Sequence, residues 1–366
     1  MSGTSLDGID VALLETDAEN FIRPGPFASI AYRPEERRIL REALNEAWRW
    51  RMGEPMPALL SEAERILTQA HIAVVMRFLA DYRLTPADIG LIGFHGQTVL
   101  HQPERRRTVQ LGTGEALAQA TGIDVVCDFR SADVAAGGQG APFAPLYHAA
   151  LVRAAGALSK PICVVNIGGV ANVTWIGPSR KDEDGDRQIL AFDTGPGNAL
   201  LDDWMLTYTG QPLDRDGALA QTGQVDQAVL ARLLDNPYFD VPPPKSLDRL
   251  SFSAATADGL SPADGAATLT AFTAAALARA AGHVPAAPGR WIICGGGRHN
   301  LALMAELRRR LSGEVRTAEE MGWQGDALEA QAFAYLAVRS QRGLPLSLPG
   351  TTGVPAPQTG GWLCRA

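Results

Sequence analysis

"PICVVNIGGVANVTWIG" (residues 161–177) sets two runs of strand-forming residues on either side of Gly168-Gly169. Val, Ile, Thr and Trp suit a pleated, half-buried backbone, and a Gly-Gly pair between two such runs signals a tight hairpin. A second glycine-rich turn, "MSGTSLDGID" (residues 1–10), leads into the apolar run "VALLET". Glycines let main chain approach a bound group closely. Thr4 and Ser5 offer hydroxyls to phosphate oxygens, and Asp7 and Asp10 are placed to orient a hydrated Mg²⁺. Two such loops, one in each half of the chain, suit a polyphosphate gripped from both sides. The residues concerned are Gly3, Thr4, Ser5, Leu6, Asp7, Gly8, Ile9 and Asp10 in the first, and Asn166, Gly168 and Gly169 in the second.

Outward from these loops, short β-rich runs alternate with longer helical patterns, which predicts an α/β protein. Helices are expected at about 35–50, 58–82, 199–210, 264–281, 301–311 and 328–340. Strands are expected in "IGLIGFHG", "QILAFDTGPGN" and "RWIICGGG". The two halves are alike in kind, which predicts an N-terminal lobe over 1–155 and a C-terminal lobe over 156–366. A third glycine loop, "CGGGRHN" (294–300), follows a strand and precedes a helix. Its Gly295, Gly296, Gly297 and Asn300, with the helix N-terminus, are candidates to face a nucleotide. No GxxxxGK[ST] and no strand-to-helix GxGxxG is present, so P-loop and dinucleotide-binding folds have little support. "NPYFDVPPPKSLDRLSFS" (236–253) breaks the alternation, because three successive prolines fit neither a helix nor a central strand, and reads as a surface loop or hinge. "GPSRKDEDGDRQ" (177–188) reads as a solvated connection.

The chain is 366 residues long, 46% apolar and 20% charged, with net charge -7 and pI near 5.5. That is a soluble globular composition without the basic footprint of a nucleic-acid binder. No apolar stretch reaches the roughly 18 residues a membrane span needs, and the first residues lack the blocks of a signal peptide. A cytoplasmic protein is expected. Cys127, Cys163, Cys294 and Cys364 are widely spaced and without CxxC pairs, which reads as reduced thiols.

Candidate chemistry gathers at strand ends. Asp193 closes the apolar run of "AFDTGPGN", aimed as a general base or else capping the turn before Asn198. Glu329 stands near the start of a helix whose alanines and aromatics form a buried face, so its carboxylate must be paired or functional. His95, Gln97 and Thr98 follow the strand of "GFHGQT" and offer donors and acceptors to a sugar-like ligand. Arg130, between Asp128 and Asp133, is an anion clamp or an internal ion pair.

Taken together and in order, "MSGTSLDGID", "GFHGQT", "LGTGEALAQATGIDVVCDFRSADVAAGGQGAP", "NIGGVANVT", "FDTGPGN", "CGGG" and "GDALEAQAFAYLA" resemble the anhydro-N-acetylmuramic acid kinase family over nearly the whole chain. The resemblance implies a two-lobed actin-like ATPase (ribonuclease H-like) fold, with mixed sheets flanked by helices. It further implies an ATP- and Mg²⁺-dependent enzyme that opens 1,6-anhydro-N-acetylmuramic acid and phosphorylates it to N-acetylmuramic acid 6-phosphate in cell-wall recycling. By similarity Asp193 activates water for attack at the anomeric carbon, while the released O6 takes the γ-phosphoryl group and Glu329 holds water or sugar. His95, Gln97, Thr98, Arg130, Asp133 and Asn198 are then expected at the sugar, and Asp7 and Asp10 at the metal through water; that Arg130 pairs with the lactyl carboxylate is an expectation from its guanidinium chemistry and not a family assignment. The family suggests a homodimer.

Two departures stand out. Relatives tend to read "PPKSTGRExF" where this chain has "PPKSLDRLSF", with Leu247-Asp248 in place of Thr-Gly. In the family, too, a short apolar strand precedes the first glycine loop, which implies a start roughly 5 to 10 residues upstream of Met1. Rival readings are a kinase for another anhydrosugar such as levoglucosan, and a chaperone-like nucleotide switch. A switch hydrolyses ATP without sugar, whereas a kinase waits for its acceptor.

Overall fold

The computed structural model describes residues 1–3, 6–19, 21–51, 53–156, 159–178, 188–247 and 251–366. Thr4, Ser5, most of the 177–188 connection and residues 248–250 lie outside the described residues.

The chain opens with an antiparallel ribbon, β1 (Gly8–Thr16) against β2 (Ile22–Ala31), broken by a bulge between Ala12 and Leu14. Helices α1 (Pro34–Ala47) and α2 (Ala58–Asp81) follow, close to their expected bounds. Then come β3 (Ile92–Gly93), β4 (Gln97–Gln102) and β5 (Arg107–Leu111), α3 (Gly114–Thr121), β6 (Val125–Cys127), α4 (Ser131–Ala135) and α5 (Pro145–Ala154). β4 and β5 form a hairpin, and β3 runs parallel to β6.

The next segment builds a five-stranded sheet from β7 (Ile162–Ile167), β8 (Val170–Ile176), β9 (Ile189–Pro196), β10 (Arg290–Cys294) and β11 (Glu314–Thr317). Their order is β11-β10-β7-β8-β9, with β10 parallel to both neighbours and β8 antiparallel to both of its own. The hairpin expected at Gly168-Gly169 joins β7 to β8. Interleaved are α6 (Ala199–Thr209), α7 (Gln227–Leu234), α8 (Pro262–Ala280) and α9 (Leu301–Arg310). The chain closes with α10 (Leu328–Gln341), α11 (Pro349–Thr352) and β12 (Trp362–Cys364), which pairs antiparallel with β6.

Two compact units result, Met1–Ala154 with Ala327–Ala366, and Ala155–Asp326. The tail from Ala327, expected in the C-terminal lobe, instead joins the first unit, because α10 packs on β1, β3 and β6 and β12 extends the β6 edge. Glu329 therefore belongs to the first unit.

In the second unit α8 is buried almost all round, as a helix apolar on every side must be. One flank meets Trp291, Phe192, Leu303 and Leu307, and the other meets Trp204, Phe239 and Leu230. Alanines and Gly265 allow both approaches. A Cβ on Gly265 would stand 2.0 Å from the Trp204 ring. Gly265→Ala is expected to destabilise the protein by about 1–3 kcal/mol through overpacking, read as a lower thermal midpoint.

Candidate active site

In the second unit the functional geometry starts at an edge. β9 is the last strand of its sheet, so its inner side pairs with β8, Asp193 opposite Asn172, and its outer side is left to other partners. Asp193 N donates to Lys245 O at 3.0 Å, Asp193 O accepts from Tyr238 Oη at 2.6 Å, and Asp193 Oδ2 accepts from Leu247 N at 2.8 Å. The side chain keeps an opening to solvent but is ringed by protein. That desolvation pushes its carboxyl up to about 7, against the pull of the Leu247 N–H. A carboxylate that ionises near neutrality is matched to proton abstraction.

Directly after Asp193 the chain turns back on the β7-β8 hairpin. Gly197 N and Ala199 N donate to Gly169 O, Asn198 N donates to Gly168 O at 2.7 Å, and Asn198 Nδ2 reaches Ile167 O at 3.4 Å. The 295–297 loop meets the same place. Gly295, at φ +72°, has Asn166 Oδ1 only 2.4 Å from where its Cβ would be, so only glycine fits there. Asn166, Gly168, Gly169, Gly295, Gly296 and Gly297 thus come together, and Asn198, expected at the sugar, meets them there. At Gly168, Gly169 and Gly296 an added Cβ would meet nothing closer than 3.7 Å. Folding alone does not demand glycine at those three positions, and a smooth main-chain surface there fits a bulky polyphosphate.

Asn300 has another task. Its Oδ1 caps α9 by accepting from Leu303 N at 2.9 Å, and Gly296 and Gly297 lie in a short turn, Gly296–His299, ahead of that helix. Arg298, which sequence reasoning passed over, is buried and bonds Gly295 O, Glu319 and Asp326. It pins the glycine loop from behind.

In the first unit the opening loop is anchored from both faces. Met1 and Asp10 exchange main-chain hydrogen bonds at 2.9 Å, and Leu6, at φ 55°, sinks its side chain beside Leu40 and Leu60. Ser2 Oγ donates to Gln97 Oε1 at 2.6 Å and accepts from Tyr32 Oη at 2.8 Å. Gln97 Nε2 donates to Thr98 O, so both ends of this amide are engaged within the protein. Thr98 Oγ1 accepts from Gln110. Asp7 is exposed and ion-paired with Arg37 at 2.7 Å.

A different group of residues gathers around Arg130. Arg130 Nε donates to His95 Nε2 at 3.0 Å and Nη1 donates to Gly140 O at 2.5 Å. His95 Nδ1 in turn donates to Gly96 O, which leaves Nε2 as the acceptor. Burial, with the guanidinium alongside, holds the His95 ring well below its usual pKa, so it stays neutral. Burial also draws Arg130 down to about 10, opposed by Glu329 and Asp133, and it remains a cation at neutral pH. Glu329 opens to solvent in the first turn of α10. Surrounding protein raises its pKa, Arg130 opposes that, and Asp10 adds to it. Asp10, Arg130, His95 and Glu329 thus share one electrostatic neighbourhood.

Asp133 lies beneath it. Its Oδ1 accepts from Ser347 Oγ and from Thr352 Oγ1 at 2.6 Å, and its Oδ2 accepts from Gly140 N at 2.7 Å. The side chain is buried and ties the tail to the loop that holds Arg130. Asp133→Ala should cost on the order of 3 kcal/mol, measured by urea denaturation. A contact made only to a ligand would leave unfolding of the free protein unchanged.

Among the described residues no cluster of three or more His, Cys, Asp or Glu could hold a metal ion. No described helix is long and apolar enough to cross a membrane.

Comparison with known proteins gives a consistent picture. A family model described as "Anhydro-N-acetylmuramic acid kinase" matches residues 1–364. Proteins of that name from Bradyrhizobium diazoefficiens and Nitrobacter winogradskyi are 53% and 54% identical over 366 residues, covering 100% of this chain and 98% of each relative. Among solved structures, a ROK family glucokinase from Streptomyces griseus is 14% identical with a TM-score of 0.40, over 90% of this chain and 96% of that one.

Proposed function

The chain belongs to the anhydro-N-acetylmuramic acid kinase family, and from that premise we propose how its own residues carry the reaction of an ATP-dependent anhydro-N-acetylmuramic acid kinase. Asp193 takes the proton from the water that attacks the anomeric carbon. As the new C–O bond forms, the bridging C1–O6 bond breaks, and O6 attacks the γ-phosphorus of ATP to release ADP. Bond cleavage thus supplies the nucleophile for transfer. The observation that carries this reading is the Asp193 carboxylate, accessible and poised near neutrality.

Phosphoryl transfer asks chiefly for positioning and charge neutralisation. Gly168, Gly169 and Gly295–Gly297 provide a smooth cradle for phosphates in the second unit, and the Gly3–Asp10 loop is the phosphate-binding candidate of the first. Mg²⁺ would neutralise phosphate charge when bound. Asp10 and Asp7 are the carboxylates of that loop, and Asp7 would have to share its charge with Arg37. Glu329 and Arg130 act on the sugar, Arg130 through its guanidinium on the lactyl carboxylate. Within the protein His95 and Gly140 take Nε and Nη1, while Nη2 has no partner among the described residues. Levoglucosan carries no carboxylate, so an Arg130 clamp favours the muramic sugar. Use of ATP argues for a cytoplasmic location.

Asp193→Asn should lower sugar-dependent ADP release by about 10²–10⁴. In the wild type kcat should rise as pH passes about 7, because the base works only when ionised. Arg130→Ala should raise KM for the anhydromuramic sugar roughly 10- to 100-fold and leave KM for ATP nearly unchanged. Equal effects on both would remove Arg130 from the sugar. ADP release without sugar, or only with levoglucosan, would overturn the substrate reading.

A further inference from the structure

The segment with three successive prolines is bound to the outer edge of β9. Asn236 Oδ1 accepts from Tyr238 N and opens a short turn, Pro237–Asp240. Phe239 from that turn is buried against Phe252 and Phe272, which fixes the segment in the core beside α8. Prolines 242–244 have no N–H to donate to an edge. Contact with β9 is therefore made on either side of them, by the Tyr238 hydroxyl before and by Lys245 O and Leu247 N after. Lys245 Nζ returns to Tyr238 O at 2.9 Å and lies 4.6 Å from the Tyr238 ring centroid, which closes the segment on itself. All of these contacts with β9 fall on one residue, Asp193.

We propose that Tyr238–Leu247 is a positioning element for the base, aiming the Asp193 carboxylate and setting its readiness to accept a proton through the main-chain N–H of Leu247. The inference rests on Asp193 being the base. Tyr238 and Lys245 hold the main chain of Asp193 on both sides of its Cα, so the carboxylate leaves a fixed backbone. Leu247 N–H is the sole donor to that carboxylate among the described residues. It favours the ionised form, in which the base is active. The donor is main chain, so any residue but proline at 247 leaves it intact. A side chain at 247 is free to vary where its N–H is not.

The test compares pH profiles of kcat for sugar-dependent ADP release in the wild type, Leu247→Pro, Leu247→Thr and Asp193→Asn, with ADP affinity as a check on folding. Leu247→Pro deletes the N–H, so the acidic limb should move to higher pH. Activity at about pH 6 should then fall about tenfold further than at about pH 9, with KM for ATP held. Leu247→Thr keeps the N–H and should keep the wild-type limb. A residue with a merely structural role would lower kcat evenly at every pH. Should Leu247→Pro fail to bind ADP, Tyr238→Phe combined with Lys245→Met decides by the same limb. If Asp193→Asn is inactive and the limb stays fixed in the variant that binds ADP, the positioning element is refuted while the base survives. If Asp193→Asn stays active, the base itself is refuted.

Discussion

An ionised carboxylate taken out of water is costly unless donors replace the water it loses. At Asp193 that constraint is met sparingly. Among the described residues one main-chain N–H serves the carboxylate and no cation pairs with it, and its proton affinity settles near neutrality. Much of the second unit follows from keeping this arrangement in place. The carboxylate needs an edge strand so that its outer side can receive Leu247, a proline-bearing segment that covers the edge without extending the sheet, and a core that anchors Phe239.

The first unit solves the opposite problem, holding a cation. Arg130 is gripped by two acceptors that are themselves fixed: His95 by its bond to Gly96, and the Gly140 carbonyl by the bond from Gly140 N to Asp133. Bonds on Nε and Nη1 fix the guanidinium in place while Nη2 stays open among the described residues. Asp133 completes this grip from below with Ser347 and Thr352, residues more than two hundred positions later in the chain.

Local pattern made the hairpin at Gly168-Gly169 and the long helices readable, since each rests on spacing and residue type within a few positions. Partners distant in the chain were not readable. Gln97 and Asp133 have the chemistry of sugar ligands, but Ser2, Tyr32, Ser347 and Thr352 meet them in the fold. The Glu329 helix carries no mark of the sheet it packs on, so its return to the first unit emerges only in three dimensions. Prolines 242–244 read correctly as irregular chain, yet that reading misses its grip on Asp193, which is made by main-chain atoms that have no sequence signature.

The return of the chain also sets an order of events during synthesis. Residues 155–326 form a continuous unit that can close as soon as they leave the ribosome. Residues 1–154 lack part of their packing until α10 and β12, which follow the second unit in the chain, are made, since α10 packs on β1, β3 and β6 and β12 pairs with β6. At roughly 5–20 residues per second, the nascent first unit waits on the order of 10 to 40 s for its own completion. Throughout that interval the faces of β1, β3 and β6 that α10 later packs on are without that cover.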